Sequence, residues 1–370
     1  MPVILYILLG AVAVLAVLSI PVYFAARRPR RGTTEWMRCI ETPQLPAPRA
    51  CPLHPSDLGW LPLAVVLSAG LRTLLALFSM AVRGEAVTAF AALPSYALHI
   101  LPACAILSAG TYLLVRLMSG GTLAAVCAAT VLAVLQVESL PCAAATVWAL
   151  VFLWLWLCAA DDGRFALPAL WLTLSLACFS AGLFQTAQLL WLAPLWIAAW
   201  IYVQIRRRSV GRAIASLLLT ALLCSLCAVV VCGLRLLLDR YAGQGLAPVA
   251  TAEFWRALPP VLEGNLRLLW PGHMGLTYFA DGLLALAGGA ALVCSLHGLI
   301  RRREIVCLML LVLLPVFAAL WLLGGQYLLG IPLVLALGWL WSLWSRREQT
   351  VFVILSVCIL VMTDCVMLLI

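Results

Sequence analysis

The chain has 370 residues, of which 65% are hydrophobic and 10% charged, and its mean hydropathy is +1.12. A soluble domain carries about 25% charged residues, so this composition excludes one and makes the bilayer the main solvent. The formal charge of +9 rests on 23 basic residues, all arginine, placed in short loops between apolar runs. There they signal topology, and no nucleic-acid partner is expected.

A spanning helix needs roughly 20 apolar residues. Strand alternation is absent, so a closed barrel is excluded and helices remain. Pro2 to Ala26 is the first apolar run, and the arginines 27, 28, 30 and 31 follow it instead of preceding it. That order argues against a secretory signal peptide and keeps the basic cluster cytoplasmic. Residues 32–57 are Pro-rich and polar and read as a cytoplasmic loop.

The second span is Leu58 to Val82, with Arg72 inside it. An arginine at that depth faces a bundle interior or wet cavity, where Arg72 is a candidate to bind substrate, or else forms a structural pair or snorkels. Arg83-Gly84-Glu85 begins the first external loop. Pro94 and Pro102 interrupt the next apolar stretch, so residues 86–101 are expected as an interfacial or re-entrant helix ahead of a third span, Leu101 to Leu117, with Arg116 at its inner end. Thr122 to Val137 is a short fourth span with Glu138 at its outer end, and Pro141 to Ala160 the fifth. Asp161-Asp162-Gly163-Arg164 then makes an inner turn, where an Asp-Gly pair is expected for turn geometry rather than as an acid/base dyad.

Phe165 to Gly182 is the sixth span and Ala187 to Ile205 the seventh, closed by Arg206-Arg207-Arg208. Val210 to Leu237 is the eighth. Residues 238–277 form the longest external loop, carrying Arg256, Arg267, His273 and interfacial Trp and Tyr residues. Asp281 opens the ninth span, Ile305 to Leu323 is the tenth, Gln326 to Trp344 the eleventh, and Thr350 to Ile370 the twelfth, with Asp364 near its outer end.

Seventeen arginines fall on the expected inner side, five on the outer side, and Arg72 in the membrane. The alternation holds through every loop, which a wrong span count would break. The expected fold is therefore all-α, a multi-pass plasma-membrane protein of about twelve helices with both termini outside. Its parts are an extra helix and basic loop at 1–57, a core at 58–237, the external loop at 238–277 and the last helices at 278–370.

Glu85 and Glu138 each follow directly on a span, in a short outer turn. A carboxylate there can serve as a general base or hold a divalent ion such as Mg or Mn that bridges a lipid-linked phosphate; the plainer alternative is a solvated or Arg-paired acid. Arg256, Arg267 and His273 can hold a phosphate by charge-assisted bonds, although residues 235–281 balance four arginines against four acids. Gln185 and Gln188 lie one turn apart at an outer helix start, where amides bind sugar hydroxyls or simply satisfy free backbone groups. Most of the fourteen cysteines sit inside apolar runs and pack as small apolar residues. P-loop, dinucleotide and zincin motifs are absent, as is a Gly-x-Ser-x-Gly elbow.

The stretch Gly182-Leu183-Phe184-Gln185-Thr186-Ala187 resembles the helix-turn of the serotype-converting O-antigen glucosyltransferases, with Phe184 where tyrosine is usual. From Tyr112-Leu113-Leu114-Val115-Arg116 to Arg206-Arg207-Arg208 the plan is similar to the wider GT-C superfamily, including an acid in the second external turn, which Glu138 matches. The resemblance covers roughly residues 58–210 and implies an inverting transfer of sugar from a polyprenyl-phosphate donor to a cell-surface glycan acceptor on the outer face. Glu85 or Glu138 would then be base or metal ligand, and Arg256 and Arg267 would lie near the phosphate. Such enzymes carry an acidic pair in the first external loop, whereas this loop offers Glu85 alone. A lipid-sugar flippase or transporter, a polysaccharide polymerase or ligase, and a non-catalytic membrane scaffold are the alternatives; the transporter would show paired broken helices.

Overall fold

The computed structural model describes residues 48–82, 86–135, 140–160, 166–185, 189, 192–207, 289–300, 305–322, 328, 330–343, 350–351, 353–354 and 357–358. These residues form helices and connecting turns, with no strand among them. In chain order the helices are α1 (Asp57–Val82), α2 (Ala86–Ser119), α3 (Thr122–Leu135), α4 (Leu140–Ala159), α5 (Ala166–Gln185), α6 (Ala193–Arg207), α7 (Gly289–Ile300), α8 (Ile305–Leu322) and α9 (Gly330–Ser342). Three segments are long and apolar enough to cross a membrane: Asp57–Leu77, Ile100–Ser119 and Leu140–Ala159. The expected first, eighth and twelfth spans lie wholly or largely outside the described residues.

One expectation changes. Residues 86–101 are not a separate interfacial piece: α2 runs unbroken through Pro94 and Pro102 to Ser119. Pro102 is exposed on the helix surface. At 1.5 Å per residue its 34 residues reach about 50 Å, well beyond the hydrocarbon core of roughly 30 Å.

Helices α1, α2 and α3 pack pairwise into a triangle, α9 lies against α3 and α2, α4 packs on α2, and α5 lies along α4. Helix α8 bridges α9 to α6. Close approach depends on small residues, as expected where lipid supplies no hydrophobic drive between helices. A Cβ on Gly338 of α9 would sit 2.9 Å from Val115 Cγ1 and 3.1 Å from Ala128 Cβ; one on Gly110 of α2 would sit 3.0 Å from Trp148 Nε1 of α4. At the α2–α3 turn Gly120 takes φ +78°, the left-handed region that ends helices without a Cβ penalty.

Two helices stand apart. Every residue of α3 from Ala124 to Val134 is buried, and so is every residue of α9 from Gly330 to Trp341. Both are apolar on all sides, the signature of a helix sheathed by others. They are also short, about 20 Å each. Their inner ends touch, since a Cβ on Gly121 would meet Ser342 Cα at 3.1 Å. Counting outward from that contact, 14 residues reach Leu135 and 12 reach Gly330, so the far ends stand level to within about 3 Å.

Hydroxyl groups inside this apolar bundle are mostly satisfied within their own helix. Ser68, Thr73, Ser108, Thr111, Ser119, Thr130, Thr146, Thr173 and Ser295 each donate to the carbonyl four residues back. Such bonds need no partner helix and carry no site information.

Candidate functional site: polar bonds that cross between helices

Few polar bonds join different helices among the described residues, and they mark where the chain departs from apolar packing. The most polar group lies at the expected inner face. Ser56 starts α1, its carbonyl accepting from Gly59 and Trp60 at 3.0 and 3.2 Å. Asp57 therefore stands in the first turn, where the helix dipole favours an anion. Arg116 stands in the last turn of the antiparallel α2, where the dipole favours a cation. Packing α1 on α2 brings the two together: Arg116 Nε donates to Asp57 Oδ1 at 3.1 Å, and the side chains are 4% and 9% exposed.

The rest of the shell is complete. Tyr112, one turn before Arg116 and on the same face, donates its hydroxyl to Asp57 Oδ1 at 2.6 Å. The His54 amide donates to Oδ2 at 2.7 Å. Arg116 Nη2 donates to the Pro52 carbonyl at 3.2 Å, and the Cys51 amide donates to the Leu117 carbonyl at 2.9 Å. Residues 48–56, expected as loop, thus form a strap across the end of α2, with Pro48 of the strap buried. A buried ion pair leaves no room for an unpaired charge, and this one also serves two helix ends. Its chemistry is that of a closed structural clamp.

The second crossing bond lies toward the expected outer face. Arg72 of α1 donates Nη1 to the carbonyl of Ala133, in the last turn of α3. Last-turn carbonyls have no partner within their helix, and α3 ends without a basic residue of its own. Arg72 supplies that cap from 61 positions away and is half-buried doing so. An arginine at membrane depth costs on the order of 3 kcal/mol on insertion scales, and a charge-assisted bond to a carbonyl at the negative end of a helix offsets much of this cost.

Further crossings tie α4 to its neighbours. Trp148 Nε1 donates to the Ile106 carbonyl at 2.9 Å. Trp196 Nε1 of α6 donates to Ser175 Oγ at 3.0 Å, and Ser175 of α5 donates onward to the Ala149 carbonyl at 2.7 Å, so one hydroxyl links three helices. Phe152 stacks on Trp171 with centroids 5.9 Å apart, and Phe179 meets Trp196 at 4.3 Å. Trp154 is fully buried, and its indole N–H has no partner among the described residues.

Of the residues singled out by sequence, Arg72 is placed as above, and Gln185 is the last residue of α5. Gly182, the first residue of the quoted turn, is buried where a Cβ would press on Leu189 Cδ1 at 2.7 Å, a packing reason for glycine there. Glu85, Glu138, Gln188, Arg256, Arg267 and His273 lie outside the described residues, as do the Asp161-Asp162 pair and Asp364. Among the described residues no three His, Cys, Asp or Glu side chains gather as a metal site. Asp57 and Tyr112 were not anticipated. The available signals were an acid directly before an apolar run and a Tyr–Arg pair four apart at the same expected face.

Comparison of the chain with protein-family models, with curated proteins and with solved structures finds no match.

Proposed function

We propose that this helical membrane protein is a glycosyltransferase that moves a sugar from a polyprenyl-phosphate donor to a surface glycan on the outer face. The observation that carries the reading is the packing of α1 against α3. Both helices start at the inner end of α2 and run the same way, and Arg72 of α1 bonds to the end of α3. In the sequence Glu85 and Glu138 follow these two neighbouring helices, three residues past Val82 and three past Leu135. Val82 stands about 15 Å along α1 beyond Arg72, so the shorter α3 ends below its neighbour.

In this reading an acceptor hydroxyl attacks the anomeric carbon as its proton passes to Glu85 or Glu138. The bond from that carbon to the phosphate oxygen breaks, and the polyprenyl phosphate leaves with the electron pair. Arg256, Arg267 and His273 would neutralise the phosphate, Gln185 and Gln188 would bind sugar hydroxyls, and a divalent cation, where used, would be held by the two glutamates. Twelve spans with both termini outside complete the proposal, and reporter fusions at each terminus test it.

A transport reading has one observation in its favour: α3 and α9 are two short buried helices whose outer ends stand level, as broken helices do in transporters. The two are separated by a transfer assay in membranes with radiolabelled polyprenyl-phosphate sugars, comparing wild type with Glu85→Gln and Glu138→Gln. Transfer abolished in either variant at unchanged expression supports the enzyme and identifies its acid. Transfer intact in both removes these acids from the mechanism, and no transfer by wild type from any donor overturns the enzyme in favour of transport.

A further inference from the structure

The strap of residues 48–56 is pinned on both sides of Leu53. The Pro52 carbonyl accepts from Arg116 Nη2 at 3.2 Å, and the His54 amide donates to Asp57 Oδ2 at 2.7 Å. The His54 carbonyl in turn accepts from the Asp57 amide at 2.9 Å. Leu53 therefore cannot fold inward without breaking one of these bonds, and it stands 52% exposed. The first turn of α1 adds Leu58, 80% exposed, and Trp60, 36% exposed. From there α1 is buried along one stripe only, Asp57, Ala64, Ser68 and Leu75, and every other residue from Leu58 to Leu77 is exposed or half-buried. That segment is apolar and of spanning length, so the exposed residues at its start continue a surface that lipid covers. Charge points the same way. Among residues 48–62 the one acid is Asp57, buried and paired with Arg116, and the full charge presented to the outside is that of the exposed Arg49. Leucine and tryptophan next to an exposed arginine suit the boundary between acyl chains and headgroups.

We propose that the strap and the first turn of α1 form a binding site for an anionic phospholipid. Arg49 pairs with a headgroup whose phosphate no ammonium group offsets, and Leu53, Leu58 and Trp60 lie against the upper part of its acyl chains. The clamp of Asp57, Tyr112 and Arg116 holds this surface in shape, and so sets the depth at which α1 enters the bilayer.

The experiment uses the full-length protein in nanodiscs of equal phosphatidylglycerol and phosphatidylcholine. The photo-crosslinker p-benzoylphenylalanine replaces Leu53 or, as a reference, Leu74, an exposed residue further along the α1 span. After irradiation the adduct on each peptide is identified by mass. Lipid adducts are expected at both positions, with phosphatidylglycerol enriched about fivefold at position 53 relative to position 74, the gain that one arginine near an anionic surface supplies. Arg49→Gln, which lies outside the clamp, is expected to bring the two positions to the same ratio, and Arg49→Lys to keep most of the difference. Lipid adducts at position 53 without enrichment, or an enrichment that survives Arg49→Gln, overturn the headgroup site. Adducts to another peptide of this chain or to a second copy place protein on the face and overturn it as well. No adduct at position 53 while position 74 is labelled places the strap in water, with the same consequence.

Discussion

Replacing Arg116 by methionine keeps the stem that packs against the strap and removes the charge. Two bonds go, to Asp57 and to the Pro52 carbonyl. Asp57 stays 9% exposed at the side chain, with only the Tyr112 hydroxyl and the His54 amide as donors. Breaking a buried pair by removing one partner costs about 3–5 kcal/mol, and the two surviving donors place this variant near 3 kcal/mol. Asp57→Asn keeps an acceptor for Tyr112 but strands the guanidinium, which is 4% exposed, and is expected to cost a similar amount. The double variant strands neither charge. Its cost is expected near 3 kcal/mol instead of the sum of the two, a coupling of about 3 kcal/mol. The measurement is equilibrium unfolding in mild detergent, followed by tryptophan fluorescence across the four proteins. The coupling is expected to persist at high salt, since buried pairs are poorly screened. Additive costs, with a coupling below about 0.5 kcal/mol, would refute the clamp.

Ser175→Ala removes the hydroxyl that links three helices and leaves the buried Trp196 indole without an acceptor; unfolding should show a loss of about 1–3 kcal/mol. Gly338→Val should cost about 1–3 kcal/mol by the same measurement, because its Cβ alone already falls 2.9 Å from Val115. Trp148→Phe forfeits a bond to the Ile106 carbonyl, whereas Trp154→Phe forfeits none. Melting followed by tryptophan fluorescence should place the Trp148 variant lower by about 1 kcal/mol beyond whatever each loses in packing.

The composition determines the class by itself. A chain with 10% charged residues and apolar runs of spanning length can satisfy its backbone in lipid only as helices. The expected boundaries of α1, α3, α4 and α5 fall close to the observed ones for that reason, because polar residues at each turn stop the apolar run. The break placed at Pro94 and Pro102 did not materialise: α2 continues through both prolines as one helix. Gly182 illustrates a different limit: the sequence offers it as part of a motif, and only the return of Leu189 onto it supplies its packing role.

What the tertiary structure alone decided is which polar residues meet. Asp57 and Arg116 are 59 positions apart, and Arg72 and Ala133 are 61 apart. Hydropathy is a local property and places each residue at a depth and a face, but two residues at one depth can stand on opposite sides of a bundle. Partnership depends on which helices are neighbours, and apolar helix faces that look alike to lipid look alike to one another in sequence. The tertiary packing makes α1 the neighbour of both α2 and α3, and that placement makes Asp57 half of a clamp and Arg72 a donor to the last described turn of α3.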